Sequence, residues 1–104
     1  MEDKIFELKN LLSDLAEHGG YYVDFLHTKN IDAGIIRLGE GEKDTQEPHS
    51  TDEFYYVIQG NGLIEINNRD QAISKGSVIF VPAKAKHRFH EIEQTLVVLY
   101  IFVK

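Results

Sequence analysis

The sequence predicts an all-β protein, a small sandwich or barrel preceded by one short helix. Helical spacing of apolar residues is confined to the stretch before Gly19-Gly20. Beyond it, β-prone segments follow one another closely, punctuated by Gly, Asn and Pro. No helical pattern lies between those segments, which excludes a parallel α/β sheet.

The helix is expected over residues 3 to 17. Ile5, Leu8, Leu12 and Leu15 recur at helical spacing, and Phe6 and Leu11 widen the stripe. Asp3 is the expected N-cap, and Gly19-Gly20 the stop. Tyr21 to Leu26 reads as the first strand, with Val23 and Phe25 on one face. Lys29-Asn30 makes a turn, and Ile31 to Leu38 a second strand with Gly34 inside it at a bulge or close contact. Residues 39 to 44 form a polar loop. Strand signals resume from Thr51 to Gln59, and Gly60-Asn61-Gly62 predicts a hairpin returning through Leu63 to Ile66. Turns are expected at Asn67 to Asp70 and Ser74 to Gly76. Short strands follow near Ala72-Ile73, at Ser77 to Val81, at Lys86 to Ile92 and at Leu96 to Val103. The total is about eight strands. The run Leu96 to Phe102 is almost wholly apolar, so both its faces require cover, from the fold or from a second subunit.

Composition narrows the function classes. A chain of 104 residues suits one compact domain, 1–104. A formal net charge of −6 and the lack of a basic patch exclude a nucleic-acid partner. No apolar run is long enough to span a membrane. The acidic, amphipathic start MEDKIFELKN is no secretory signal, so a cytoplasmic location is expected. Without cysteine, any metal must be held by His, Asp, Glu, Gln or water.

The chemistry concentrates between Gly41 and Gly60, where Glu47, His49, Asp52 and Glu53 fall within seven residues at the mouth of an aromatic strand. Glu47, His49, Glu53, Tyr55 and Val57 share strand parity, as do His87, Phe89 and Glu91 downstream; His90 points the other way. If the two strands face one cavity, His49, Glu53 and His87 converge. Two imidazoles and a carboxylate suit Fe, Mn, Zn or Ni, with open positions left for water or substrate. Glu47 is either a further oxygen ligand or a solvated loop carboxylate, and Gln46 is its substitute if Pro48 shifts the parity. Asp52 reads as a surface charge, Phe80 as core packing, and Glu91 as a ligand-contacting group or a solvated strand end. Tyr55 and Phe89 are candidates for lining a pocket, and His27 for bordering it.

These residues resemble the paired motifs of the cupin superfamily. The first motif is met by Gly41, His49, Glu53 and Gly60, with Glu47 where a histidine is usual. The second is met by Gly76, Pro82 and His87, with Lys84 in place of glycine and Glu91 in place of asparagine. The two motifs span residues 41 to 91 and match a small single-domain cupin, or monocupin. The resemblance implies a double-stranded β-helix, or jelly roll, with a divalent metal ion inside the barrel. It implies Glu47, His49, Glu53 and His87 as the ligand positions, and often homodimerisation. The function expected is a metal-dependent enzyme, dioxygenase-like or isomerase-like, acting on a small organic molecule. The alternatives are a non-catalytic module binding a sugar or metabolite, and an interaction protein that dimerises through its N-terminal helix and C-terminal strand.

Overall fold

The structure is a computed structural model that describes residues 2–104. One helix, α1 (Leu8–His18), precedes six strands: β1 (Tyr22–His27), β2 (Ile31–Leu38), β3 (Glu53–Ile66), β4 (Arg69–Ser74), β5 (Val78–Val81) and β6 (His87–Val103). All pairings are antiparallel, in the order β1-β2-β6-β3-β4, with β5 on the free edge of the first part of β3. This is the jelly-roll barrel expected from the sequence, with a short N-terminal helix.

The expected eight short strands are six, because two pairs fuse. β3 runs straight through Gly60-Asn61-Gly62, where a hairpin was expected, and pairs with β6 along its whole length. Three register shifts between Val57 and Leu63 absorb the irregularity. Gly60 adopts φ 87°, and a Cβ there would run into the Thr95 carbonyl. These glycines therefore serve a bulge and a close backbone approach, rather than a reversal. The reversal comes at Asn67-Asn68, where both residues have positive φ, 48° and 67°, as a tight primed turn requires. The segments 86–92 and 96–103 likewise form one strand, β6, interrupted by a bulge.

The helix starts later than expected. Its N-cap is Glu7, with no side-chain cap, and Asp3 lies outside it. Ile5, placed on the core stripe by its spacing, is 90% exposed, while Phe6 rests on Phe25 with ring centroids 4.6 Å apart. Only Leu11 and Leu15 of the helix are fully buried, so the docking contact fixes the helix and the first residues remain extended. Gly19, at φ 76°, ends it as expected.

The core has two parts. Inside the barrel are Ile36, Leu38, Tyr55, Val57, Ile64, Ile79, Val81, Phe89, Leu96, Val98 and Tyr100. Outside it, Leu11 and Leu15 cover Ile35 and Val97. Alternation along β2 and β6 thus feeds both layers, and the fold itself covers both faces of Leu96 to Val98. Phe80, expected in the core, is instead 51% exposed beside Phe54, because β5 turns that face outward. No helix is long and apolar enough to cross a membrane, among the described residues.

Candidate metal centre

Glu53 is the first residue of β3 and points inward with Tyr55 and Val57; it is only 1% exposed. Opposite, His87 opens β6 and points inward with Phe89. His49 comes from the irregular segment before β3. Two contacts hold that segment against the turn leading to His87, and a third ties it to the end of β6. The Lys84 amide donates to the His49 carbonyl (2.6 Å), the Ala83 amide to Asp52 Oδ1 (2.9 Å), and the Val103 amide to the Asp52 carbonyl (3.1 Å). Asp52, expected as a plain surface charge, is exposed but also clamps the site together. Lys84 stands where the motif has glycine and keeps the left-handed backbone that glycine would favour, at φ 69°.

Three side chains meet here. His87 Nε2 lies 3.2 Å from Glu53 Oε1, and His49 Nε2 lies 3.9 Å from Glu53 Oε2. Ligand atoms of His49, Glu53 and His87 all lie within 4.8 Å of one another. The Nδ1–H of His87 donates to the Ala85 carbonyl at 3.0 Å, which turns the other ring nitrogen, Nε2, toward Glu53. Both Glu53 oxygens and both Nε2 atoms are buried without a hydrogen-bond partner of proper geometry. Burial pushes the His87 imidazole toward the neutral form. The adjacent Glu53 carboxylate, the Ala85 carbonyl that accepts from Nδ1 and the charge of Asp44 outweigh it, and its pKa stands above the ordinary value. Such a buried, unpartnered donor set is costly unless a cation completes it. Two imidazole nitrogens and a carboxylate are a fitting donor set for a divalent transition metal.

Glu47 is exposed and outside this trio, although it lines the adjoining cavity. Gln46 is engaged elsewhere: its Oε1 accepts from the Tyr55 hydroxyl (2.9 Å), and its Nε2 donates to Asp44 (2.8 Å). Burial and the Glu53 charge raise the Tyr55 pKa strongly, so its phenol stays a donor. Asp44 is the residue that sequence reasoning missed. Its carboxylate accepts from the Phe89 amide (2.8 Å), the Gln46 amide (3.0 Å) and the Tyr21 hydroxyl (3.3 Å), and so ties the loop to β6. The available signal was Asp44 two residues before Gln46, the spacing of an Asx turn.

Glu91 does not follow His87 inward. At φ 48° it sits in the bulge of β6, which resets the alternation, so Glu91 is exposed and Ile92 is buried. His90 faces outward and meets Asp70 at 2.7 Å, while Arg88 pairs with Glu65 at 3.2 Å. Glu65, Asp70 and His90 also lie close together, but these ion pairs already satisfy them. His27 is exposed and pairs with Asp32 at 2.8 Å, away from the cavity.

A cavity of about 350 Å³ opens beside His49. Tyr21, Tyr22, Tyr100 and Phe102 give it aromatic walls, and Asp24, Gln46 and Glu47 add polar groups. The Phe102 ring stacks on His49 with centroids 4.2 Å apart, which fixes the imidazole at the cavity's edge. Tyr100 is buried, and its hydroxyl donates to Asp24; burial and that carboxylate raise its pKa, keeping it protonated.

Comparison with known proteins agrees with this architecture. The chain is 37% identical over 99 residues to an uncharacterized protein of Streptomyces coelicolor, covering 95% of this chain and 94% of that one. It is 30% identical over 54 residues to dimethylsulfoniopropionate lyase DddW of Ruegeria pomeroyi, a match covering 52% of this chain and 36% of the lyase. Among solved structures, a cupin protein from Bacteroides fragilis superposes with a TM-score of 0.72 at 20% identity, covering 80% of this chain and 75% of that one. KdgF from a Halomonas species gives 0.71 at 23%, covering 79% and 76%. The family model described as "Cupin domain" matches residues 34–103, most of the barrel and two of the three clustered side chains in β3 and β6 together with His49, and the chain therefore belongs to the cupin family.

Proposed function

We propose that this cupin holds a divalent metal ion with His49, Glu53 and His87, and acts through it on a small organic molecule in the adjoining cavity. The observation that carries the reading is the buried trio whose ligand atoms have no hydrogen-bond partner in the fold. When bound, the metal supplies Lewis-acid polarisation of an oxygen on the ligand. The chain's own residues do the rest. Ala85 fixes the His87 tautomer, Phe102 orients His49, and the protonated Tyr55 and Tyr100 hold Gln46 and Asp24 in place. Glu47 stands at the cavity wall, free to accept a proton or a hydrogen bond from the ligand. Isomerase- or lyase-type chemistry draws support from the match to a lyase, and the same donor set also suits a dioxygenase.

Metal analysis of the tag-free protein tests the metal reading. About one equivalent of a divalent transition metal is expected, with near-complete loss in His87→Ala and Glu53→Ala. His90→Ala, which alters only the outer ion pair, keeps the full equivalent. Less than about a tenth of an equivalent after soaking in metal sinks the reading.

We also infer a homodimer, formed through the outer faces of β3 and β5 rather than through helix and C-terminal strand. Phe54 lies opposite Phe80, and Tyr56 opposite Val78, in one exposed apolar row.

A further inference from the structure

The cavity beside His49 carries a charge preference that the metal reading leaves open. Its lining holds two carboxylates, Asp24 and Glu47, and no lysine or arginine. A ligand whose only charge is a carboxylate finds nothing on the cavity wall to pair with it. Asp24 accepts from the Tyr100 hydroxyl, and no cationic side chain lines the cavity beside it. Four aromatic rings form much of the remaining wall, with the neutral Ile36, Thr45 and Gln46 beside them. Tyr21 and Tyr22 stand edge to face with centroids 5.4 Å apart, and Tyr100 and Phe102 lie 4.9 Å apart. Electron-rich ring faces next to fixed carboxylates attract an organic cation, most strongly one too bulky to hold its own water. The volume, about 350 Å³, suits a molecule of few heavy atoms.

The His49 side of the cavity has another character. His49 lines it, and His49 Nε2 faces the buried, unpartnered carboxylate of Glu53. Taken with the metal reading, on which this step rests, that side takes an oxygen donor. We propose that the cavity selects a small organic cation that also carries a hydroxyl or carboxylate oxygen. The cationic head lies against Tyr21, Tyr22, Asp24 and Glu47, and the oxygen is turned toward His49. The formal net charge of −6 favours the approach of such a ligand.

Calorimetric titration with choline and with 3,3-dimethylbutan-1-ol tests this directly. The two probes share one shape and one hydroxyl, and differ in the charge on the head. Zinc-loaded protein is expected to bind choline at least about tenfold more tightly than the alcohol. The double variant Asp24→Asn, Glu47→Gln brings the two affinities to within about twofold while keeping its zinc. Equal or tighter binding of the alcohol, binding of neither probe, or an unchanged preference in the double variant overturns the proposal. Zinc content measured on the same samples separates the two readings. If the wild type retains no zinc, the metal reading falls, and the choline preference measured on that metal-free protein still decides the question of charge.

Discussion

Glu53 shows how one residue can set the behaviour of a site. A carboxylate with 1% exposure, flanked by imidazoles at 3.2 and 3.9 Å, must be balanced by a proton or a metal. Without metal, the balance falls on His87, whose pKa is raised above its reference of 6.5. The folded state then binds a proton more tightly than the unfolded state. That contribution is complete below the unfolded pKa and is lost as pH rises through the folded value. Chelator-treated protein should therefore lose urea resistance as pH rises from below 6.5 through the raised His87 value, and His87→Gln should flatten that slope. A wild-type midpoint that rises over the same window contradicts the assignment. Glu53 and His87 were legible from strand parity, since Glu53, Tyr55 and Val57 alternate inward, as do His87 and Phe89. His49, Glu47 and Gln46 were not, because they precede β3 in irregular backbone, where parity has no meaning, and only the motif spacing pointed to His49. There the hydrogen bonds of Asp44 and Tyr55 decide which side chain turns inward, and those partners are distant in sequence.

Elements follow the same logic of local signal against tertiary context. Gly60-Asn61-Gly62 carries a strong turn signal, yet β3 passes through it because β6 offers a continuous partner. Only glycine fits at position 60, because the Thr95 carbonyl fills the space where a Cβ would stand. Gly76, at φ 94°, has the same backbone constraint but nothing within 4 Å of its Cβ position. The pair separates backbone strain from collision. Gly76→Ala should cost about 1 kcal/mol from its positive φ, and Gly60→Ala about 3 kcal/mol or more, since strand separation is added to strain. Equal losses in chemical denaturation would mean that β3 and β6 part freely at the bulge. The same bulge hides Glu91 from sequence reasoning: one left-handed residue resets the alternation, and no residue type in the segment announces it.

At the scale of the molecule, the barrel hides most of its apolar surface but leaves one row in the open. Phe54, Tyr56, Val78 and Phe80 are 46%, 44%, 68% and 51% exposed, and cross-strand pairing places them side by side. On β6, Ile101 and Leu99 lie opposite Phe54 and Tyr56 but are partly buried, Leu99 against the helix cluster, so the exposed row stays on β3 and β5. The sequence alone could not show this, because alternation states which residues share a face but not which face is covered. A chain with net charge −6 repels its own copies over most of its surface, and this uncharged row is where two copies can approach without that cost. A two-fold contact would set the row of one copy against the same row of the other. Phe80→Asp puts two new charges into such a contact, one from each copy. It should raise the dimer dissociation constant about a hundredfold or more in sedimentation velocity. The melting temperature of the dilute monomer should change little, because Phe80 is not part of the barrel core. A wild-type chain that stays monomeric at about 100 μM removes the interface, since a contact of this apolar character should assemble well below that concentration.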